Sequence, residues 1–150
     1  MSVDKKVTKE IMETLADGRD GFLKGAEKLT ETDAPELAQS FRQYGAQRAA
    51  FYDELEKMAA SYGDDIEETG SVAAAAHRGW MAIKDALAGS SPSGVLEAAV
   101  GGEHHAVNVY EEALKEDLSP ALRDVLARQH REVLAAQTQV EVLAEGLRNA

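Results

Sequence analysis

Three long runs of apolar residues, each interrupted by one polar residue, constrain the fold of this chain most. Within each run the apolar residues recur at alternating spacings of three and four, which keeps one face of an α-helix turned toward a core. The residues that interrupt the runs are Arg48, Glu103 and Gln129. All three are therefore predicted to point inward, where a charge is costly unless it is paired or binds a metal. They are the centre of the candidate site.

The same spacing predicts an all-α fold in which no strand pattern competes. The expected helices span about residues 4–30, 34–62, 71–88, 92–116 and 120–148. Three of these starts carry a capping residue close to a proline, namely Asp33, Ser91 and Ser119. Such residues accept hydrogen bonds from the free N–H groups of a first helical turn, and proline is tolerated there. These signals divide the chain into its elements.

Glycines interrupt the first predicted helix at Gly18, Gly21 and Gly25. Each costs about 1 kcal/mol in a helix interior. Either the helix breaks near Asp17 and Gly18, or the glycines permit the close approach of a neighbouring element. One helix, straight or kinked, is the favoured interpretation.

The order of long helices and loops predicts a ferritin-like four-helix bundle formed by one domain, residues 1–150. Short loops make helices one and two, and likewise helices three and four, antiparallel neighbours. The segment between helices two and three contains a helix of roughly 18 residues, about 27 Å long, which is enough to run along the bundle. Two hairpins joined by one long crossover is the ferritin-like arrangement. His77, Arg78 and Trp80 are predicted to pack this crossover onto the bundle.

The composition narrows the classes of function. The formal net charge of −11 argues against binding to nucleic acid or to anionic membrane surfaces, which require clustered lysine and arginine. The chain has no cysteine, which excludes disulfides, zinc–thiolate sites and thiol catalysis. Neither a signal peptide nor an apolar run long enough for a membrane span is visible. A cytoplasmic protein is the expectation.

Aligning the helices about their short loops brings several polar residues to one depth of the bundle. This layer is predicted to contain Asp17, Arg48, Glu103 and Gln129, with His130 beside it. In the first interpretation the Arg48 guanidinium pairs with the carboxylates, because it has five donors and a permanent charge, and no cofactor is needed. The layer then fixes helix register without catalysis.

A metal site is the alternative interpretation of the same layer. Glu103 and His130, helped by Glu54 or Asp17, offer oxygen and imidazole ligands that suit iron or manganese. Di-iron bundles, however, use a Glu-x-x-His pair on each of two helices, and this sequence contains none. Any such site would be degenerate.

Several short motifs, taken together, resemble a known family. They are Asp17-Gly18-x-x-Gly21-Phe22, Arg48, Gly70-Ser71, His77-Arg78-Gly79-Trp80, Gly102-Glu103 and Tyr110. They are similar to those of bacterial ferritin-like four-helix-bundle proteins described as a domain of unknown function. The resemblance implies a ferritin-like fold, a bacterial cytosolic setting and a link to stress response, and it supplies no established activity.

The functional expectation is accordingly a non-enzymatic helical-bundle protein that acts by self-association or by binding a protein partner. A homodimer is the expected assembly, because dimers are the commonest oligomers. The alternative is a ferritin-like protein that oxidises or stores iron or manganese through the degenerate carboxylate and histidine site.

Overall fold

The structure, a computed structural model, describes residues 2–61 and 91–149. These residues form four helices: α1 Val3–Glu31, α2 Pro35–Ser61, α3 Pro92–Ala113 and α4 Pro120–Arg148. No strand occurs in the described ranges, so the all-α prediction is confirmed there. None of the four helices combines the length and apolarity needed to cross a lipid bilayer. The helix predicted at 71–88, with His77, Arg78 and Trp80, lies outside the described residues.

The helix starts follow the capping signals only in part. Ser91 caps α3 as expected, because its hydroxyl accepts a hydrogen bond of 3.3 Å from the Gly94 N–H. Ser119 precedes α4 without a side-chain cap, and its own N–H donates to the Asp4 carboxylate at 3.0 Å. Asp33 was predicted to cap α2, but it has a φ of 61° in the turn after α1. An aspartate tolerates this left-handed conformation better than most residues.

The first helix is continuous through its glycines, as the favoured interpretation predicted. The glycines bring neighbouring side chains close to the α1 backbone. A Cβ atom at Gly25 would lie 2.8 Å from the Phe41 ring, and one at Gly18 would lie 3.4 Å from Nη1 of Arg48. Glycine is unfavourable in a helix interior, but here it permits close contact between α1 and side chains of α2.

Two apolar clusters fill the core and give the helix directions. The first contains buried residues from 22–29 of α1, 38–44 of α2, 95–96 of α3 and 136–144 of α4. The second contains buried residues from 7–16 of α1, 51–59 of α2, 106–113 of α3 and 118–133 at and before α4. Along the chain, α2 and α3 pass from the first cluster to the second, whereas α1 and α4 pass in the opposite direction. Hence α2 and α3 are parallel.

The neighbours of each helix follow from this packing. Helix α1 packs against both α2 and α3, and α3 packs against α4. Since α1 lies between α2 and α3, these two parallel helices occupy a diagonal of the bundle. A contact between α2 and α3 therefore passes through the centre of the molecule.

The close contact at Gly25 leads to a stability prediction. Gly25→Ala should lower the free energy of unfolding by about 1–2 kcal/mol, because overpacking against Phe41 outweighs the gain in helix propensity. Gly101→Ala is the matched control on α3, where no described atom lies within 4 Å of an added Cβ. It should raise stability by about 0.5–1 kcal/mol. Urea unfolding measures both, and stabilisation by Gly25→Ala would contradict the packing.

Candidate functional site

The centre of the bundle holds an ion pair between Arg48 of α2 and Glu103 of α3. Nη1 and Nη2 of Arg48 donate to the two carboxylate oxygens of Glu103 at 2.7 and 2.6 Å. The side chains are 1% and 2% exposed, so both charges are removed from water. Nε of Arg48 donates to the Gln47 side chain at 3.1 Å, and the guanidinium carbon lies 5.2 Å from the centroid of the Phe22 ring. Both oxygens of Glu103 are thus committed to one guanidinium.

A second polar group lies around Gln129 of α4, further along the bundle axis and within the second apolar cluster. The Tyr110 hydroxyl donates to Oε1 of Gln129 at 2.8 Å, and Nε2 of Gln129 donates to Glu54 of α2 at 2.8 Å. Arg128 pairs with the other oxygen of Glu54 near the surface. This chain of contacts links a buried tyrosine on α3 to a partly exposed arginine on α4. The side chain of Gln129 is thus hydrogen-bonded to Glu54 and Tyr110.

Burial and hydrogen bonding shift the pKa values in this second group. Burial raises the pKa of the Tyr110 hydroxyl well above its ordinary value, so the group remains a hydrogen-bond donor at physiological pH. Burial also raises the pKa of Glu54, but the hydrogen bonds from Arg128 and Gln129 outweigh it, and the net pKa is lowered. Glu54 is therefore an ionised acceptor that orients Gln129.

Three residues of the predicted metal site, Glu103, Glu54 and His130, each contact other side chains. Glu103 is paired with Arg48, Glu54 with Arg128 and Gln129, and Nε2 of His130 lies 3.5 Å from the Glu111 carboxylate. Within 2–61 and 91–149, no group of three or more histidine, aspartate or glutamate side chains is arranged to hold an ion. A metal at Glu103 would also face the positive guanidinium that already occupies both oxygens. The donor set does not fit iron or manganese.

A cavity of about 290 Å³ lies beside the ion pair, between α1 and α3. Among the described residues, its polar lining is Asp17, Arg48 and Glu103, together with Thr14 and His105. The remaining lining in the described part of the chain is small or apolar: Gly18, Gly21, Phe22, Gly25, Phe41, Val95, Ala98, Ala99, Gly102 and Ala106. The structure therefore brings Asp17, Arg48 and Glu103 together around one space, whereas Gln129 belongs to the second polar group.

Sequence reasoning missed the contact between Tyr44 of α2 and Gln139 of α4. The Tyr44 hydroxyl donates to Oε1 of Gln139 at 2.7 Å, and burial, with the Glu103 charge nearby, raises its pKa. Tyr44 lies on the apolar face of its helix, which signalled burial. Gln139 is exposed and nothing in the spacing of the sequence marks it as a partner.

The ion pair predicts a large and asymmetric mutational effect. Arg48→Ala should lower the free energy of unfolding by about 3–5 kcal/mol, because Glu103 is left charged and buried. The double variant Arg48→Met with Glu103→Leu should recover most of this loss, since apolar pairs of similar volume replace buried ion pairs at little cost.

The control is Arg128→Ala, which removes an ion pair whose partners are both partly exposed. It should cost about 1 kcal/mol or less in urea unfolding. A loss for Arg48→Ala no larger than that of Arg128→Ala would contradict the burial of the pair.

No curated protein shows significant similarity to the chain. The family model described as "Domain of unknown function (DUF2383)" matches residues 6–116, which include most of α1, all of α2 and α3, and both members of the ion pair. Because the match covers well over half of the 150 residues, the chain belongs to this family of domains of unknown function.

Proposed function

We propose that this chain is a non-enzymatic, ferritin-like helical-bundle protein of the bacterial cytoplasm, linked to stress response, which acts by self-association. The observation that carries the proposal is the buried pair of Arg48 and Glu103. It occupies the centre of the bundle, where a ferritin-like enzyme needs metal-ligating carboxylates. A guanidinium there neutralises Glu103 and already donates a hydrogen bond to each of its oxygens, which disfavours coordination of a positive ion.

The helix directions support the ferritin-like part of the proposal. Parallel α2 and α3 on a diagonal, each flanked by antiparallel neighbours, are expected when one long connection joins two hairpins. A simple up-down-up-down bundle would make α2 and α3 antiparallel neighbours. The motifs around Asp17, Arg48 and Glu103 point to the same group of bacterial proteins.

The outer face of α4 supports self-association. Leu134 and Val142 are 41% and 62% exposed and lie about two turns apart on one side of this helix. Ala135 and Thr138 lie between them and are exposed as well. These four residues form an uncharged strip, the α4 strip, on a chain whose net charge is −11. An isologous contact between two α4 strips would bury these four uncharged side chains of each copy.

Self-association through this strip can be tested directly. The wild-type chain should be a dimer in sedimentation velocity, and Leu134→Ser with Val142→Ser should shift it to a monomer without loss of helical circular dichroism. Val3→Ser is the matched control, because Val3 is 43% exposed but lies at the start of α1. A wild-type monomer throughout the micromolar range, or a dimer unchanged by the double substitution, would contradict the proposal.

The alternative, an iron or manganese protein using Glu103, His130 and Glu54 or Asp17, predicts that the purified protein retains about one ion per chain. The non-enzymatic proposal predicts the opposite: protein purified without chelator should contain no stoichiometric iron, manganese or zinc by elemental analysis. If one ion per chain is retained and is lost in Glu103→Ala but not in the control His104→Ala, the non-enzymatic proposal is overturned. His104 is suited as a control because it pairs with Glu141 at the surface.

A further inference from the structure

Two exposed charges of opposite sign flank the α4 strip. Arg131 lies three residues before Leu134, Glu145 lies three residues after Val142, and both charged side chains are exposed. Each is seven residues from Thr138, so the three residues follow one line along α4, because two helical turns take about 7.2 residues. At about 1.5 Å per residue, each charge is about 10.5 Å from the centre of the strip. The strip is therefore bounded by a positive charge at one end and a negative charge at the other.

Arg131 and Glu145 differ from neighbouring charges of α4 because neither has an ion-pair partner within 2–61 and 91–149. Arg128 contacts acidic side chains of α2 and α4, whereas Glu141 and Arg148 contact side chains of α3. The positions three and four residues from Arg131 carry no acidic side chain, so an ion pair within the helix is not available to it. Both charges are thus accessible to a partner.

A two-fold contact between two copies of the strip has two possible orientations, and the charges distinguish them. If the two α4 helices are parallel, each residue lies level with the same residue of the other copy, so Arg131 meets Arg131 and Glu145 meets Glu145. If the helices are antiparallel and the axis passes Thr138, residues equally distant from Thr138 lie at the same level. Opposite charges then meet at both ends of the contact, because Arg131 of each copy faces Glu145 of the other.

The same axis aligns the uncharged residues. Leu134 and Val142 are each four residues from Thr138, so Leu134 of one copy comes level with Val142 of the other. Ala135 comes level with Glu141, whose carboxylate already lies 2.7 Å from a histidine of α3. The small side chains of Ala135 and Thr138 permit the helix axes to approach to about 8–10 Å. One register therefore serves both the apolar contact and the two charge pairs.

From this register we infer that two copies of the chain associate through antiparallel α4 helices about a two-fold axis at Thr138, with Arg131 of each copy paired with Glu145 of the other. The strip is occupied by a second copy because its two ends carry complementary charges, and an isologous contact requires such self-complementarity. The inference rests on the self-association proposed above, and it adds the orientation of the contact and the residues that select the partner.

Reversing one charge at a time tests the ion pairs. Arg131→Glu and Glu145→Arg should each raise the Kd of the dimer at least about tenfold, because two contacts between opposite charges become two between like charges. Glu145→Arg is the sharper variant, since it reduces the net negative charge of the chain and general repulsion alone would then favour association. Glu56→Arg, the same change of charge at an exposed position of α2, is the matched control and should not weaken the dimer. Sedimentation velocity measures each Kd, and circular dichroism verifies folding.

Mixing the two variants restores the pairs and identifies the orientation. In an antiparallel heterodimer of the Arg131→Glu and Glu145→Arg chains, each contact again joins opposite charges. Fluorescently labelled Arg131→Glu chain should therefore sediment as a dimer after addition of the Glu145→Arg chain, with a Kd within about threefold of wild type, but not after addition of unlabelled Arg131→Glu chain. A parallel contact predicts instead that single reversals have no effect and that the mixture binds more tightly than wild type, and either result overturns the inference.

The inference and the proposed function can fail separately. A wild-type dimer that is lost in Leu134→Ser with Val142→Ser, but keeps its Kd in both charge reversals, overturns the antiparallel contact and leaves self-association intact. A mixture that stays monomeric while the wild type dimerises has the same meaning. A wild-type monomer throughout the micromolar range overturns self-association and this inference together.

Discussion

The bidentate ion pair between Arg48 and Glu103 crosses the diagonal of the bundle, and the surrounding packing is organised to make that crossing possible. Helices α2 and α3 are not side by side, so only a long side chain reaches from one to the other. Arginine provides both the length and a planar fork that matches a carboxylate. A lysine at this position would carry the same charge but could not satisfy both oxygens of Glu103 in one plane.

The ion pair packs against α1. The stem of Arg48 lies against Gly18, with Cγ 3.5 Å from the position that a Cβ would take. Phe22, one turn further along, faces the guanidinium. The neighbouring cavity is lined by small residues on α1 and α3, among them Gly18, Ala98 and Ala99. The ion pair and the cavity therefore share the same part of α1.

Much of the fold and part of the candidate site could be predicted from the sequence. The spacing of apolar residues predicted four of the helices to within about three residues, because a buried face repeats every turn. It also predicted that Arg48, Glu103 and Gln129 are buried, as each occupies a position that an apolar residue would otherwise hold. Their partners were harder to predict, since spacing along one helix does not fix the rotation of its neighbour.

Gln129 shows this limit well. It lies in the core as predicted, but its amide bridges Tyr110 and Glu54 instead of completing the layer around Arg48. Asp33 shows another, because its left-handed φ is set by the geometry of the whole turn and not by the capping pattern around it. The α1–α3 cavity had a signal in the glycines, although they indicate close approach as readily as open space.

The position of the ion pair has a consequence for cooperativity. Helices α1 and α2 form one hairpin and α3 and α4 another, and each buries apolar surface with local contacts. Arg48 belongs to the first hairpin and Glu103 to the second, and these are the buried charged residues of the described chain. Complete separation of the hairpins returns both charges to water, whereas a partly opened state that keeps either charge buried without its partner is strongly destabilised. The pair therefore disfavours partly opened states, which couples the two halves into one folding unit.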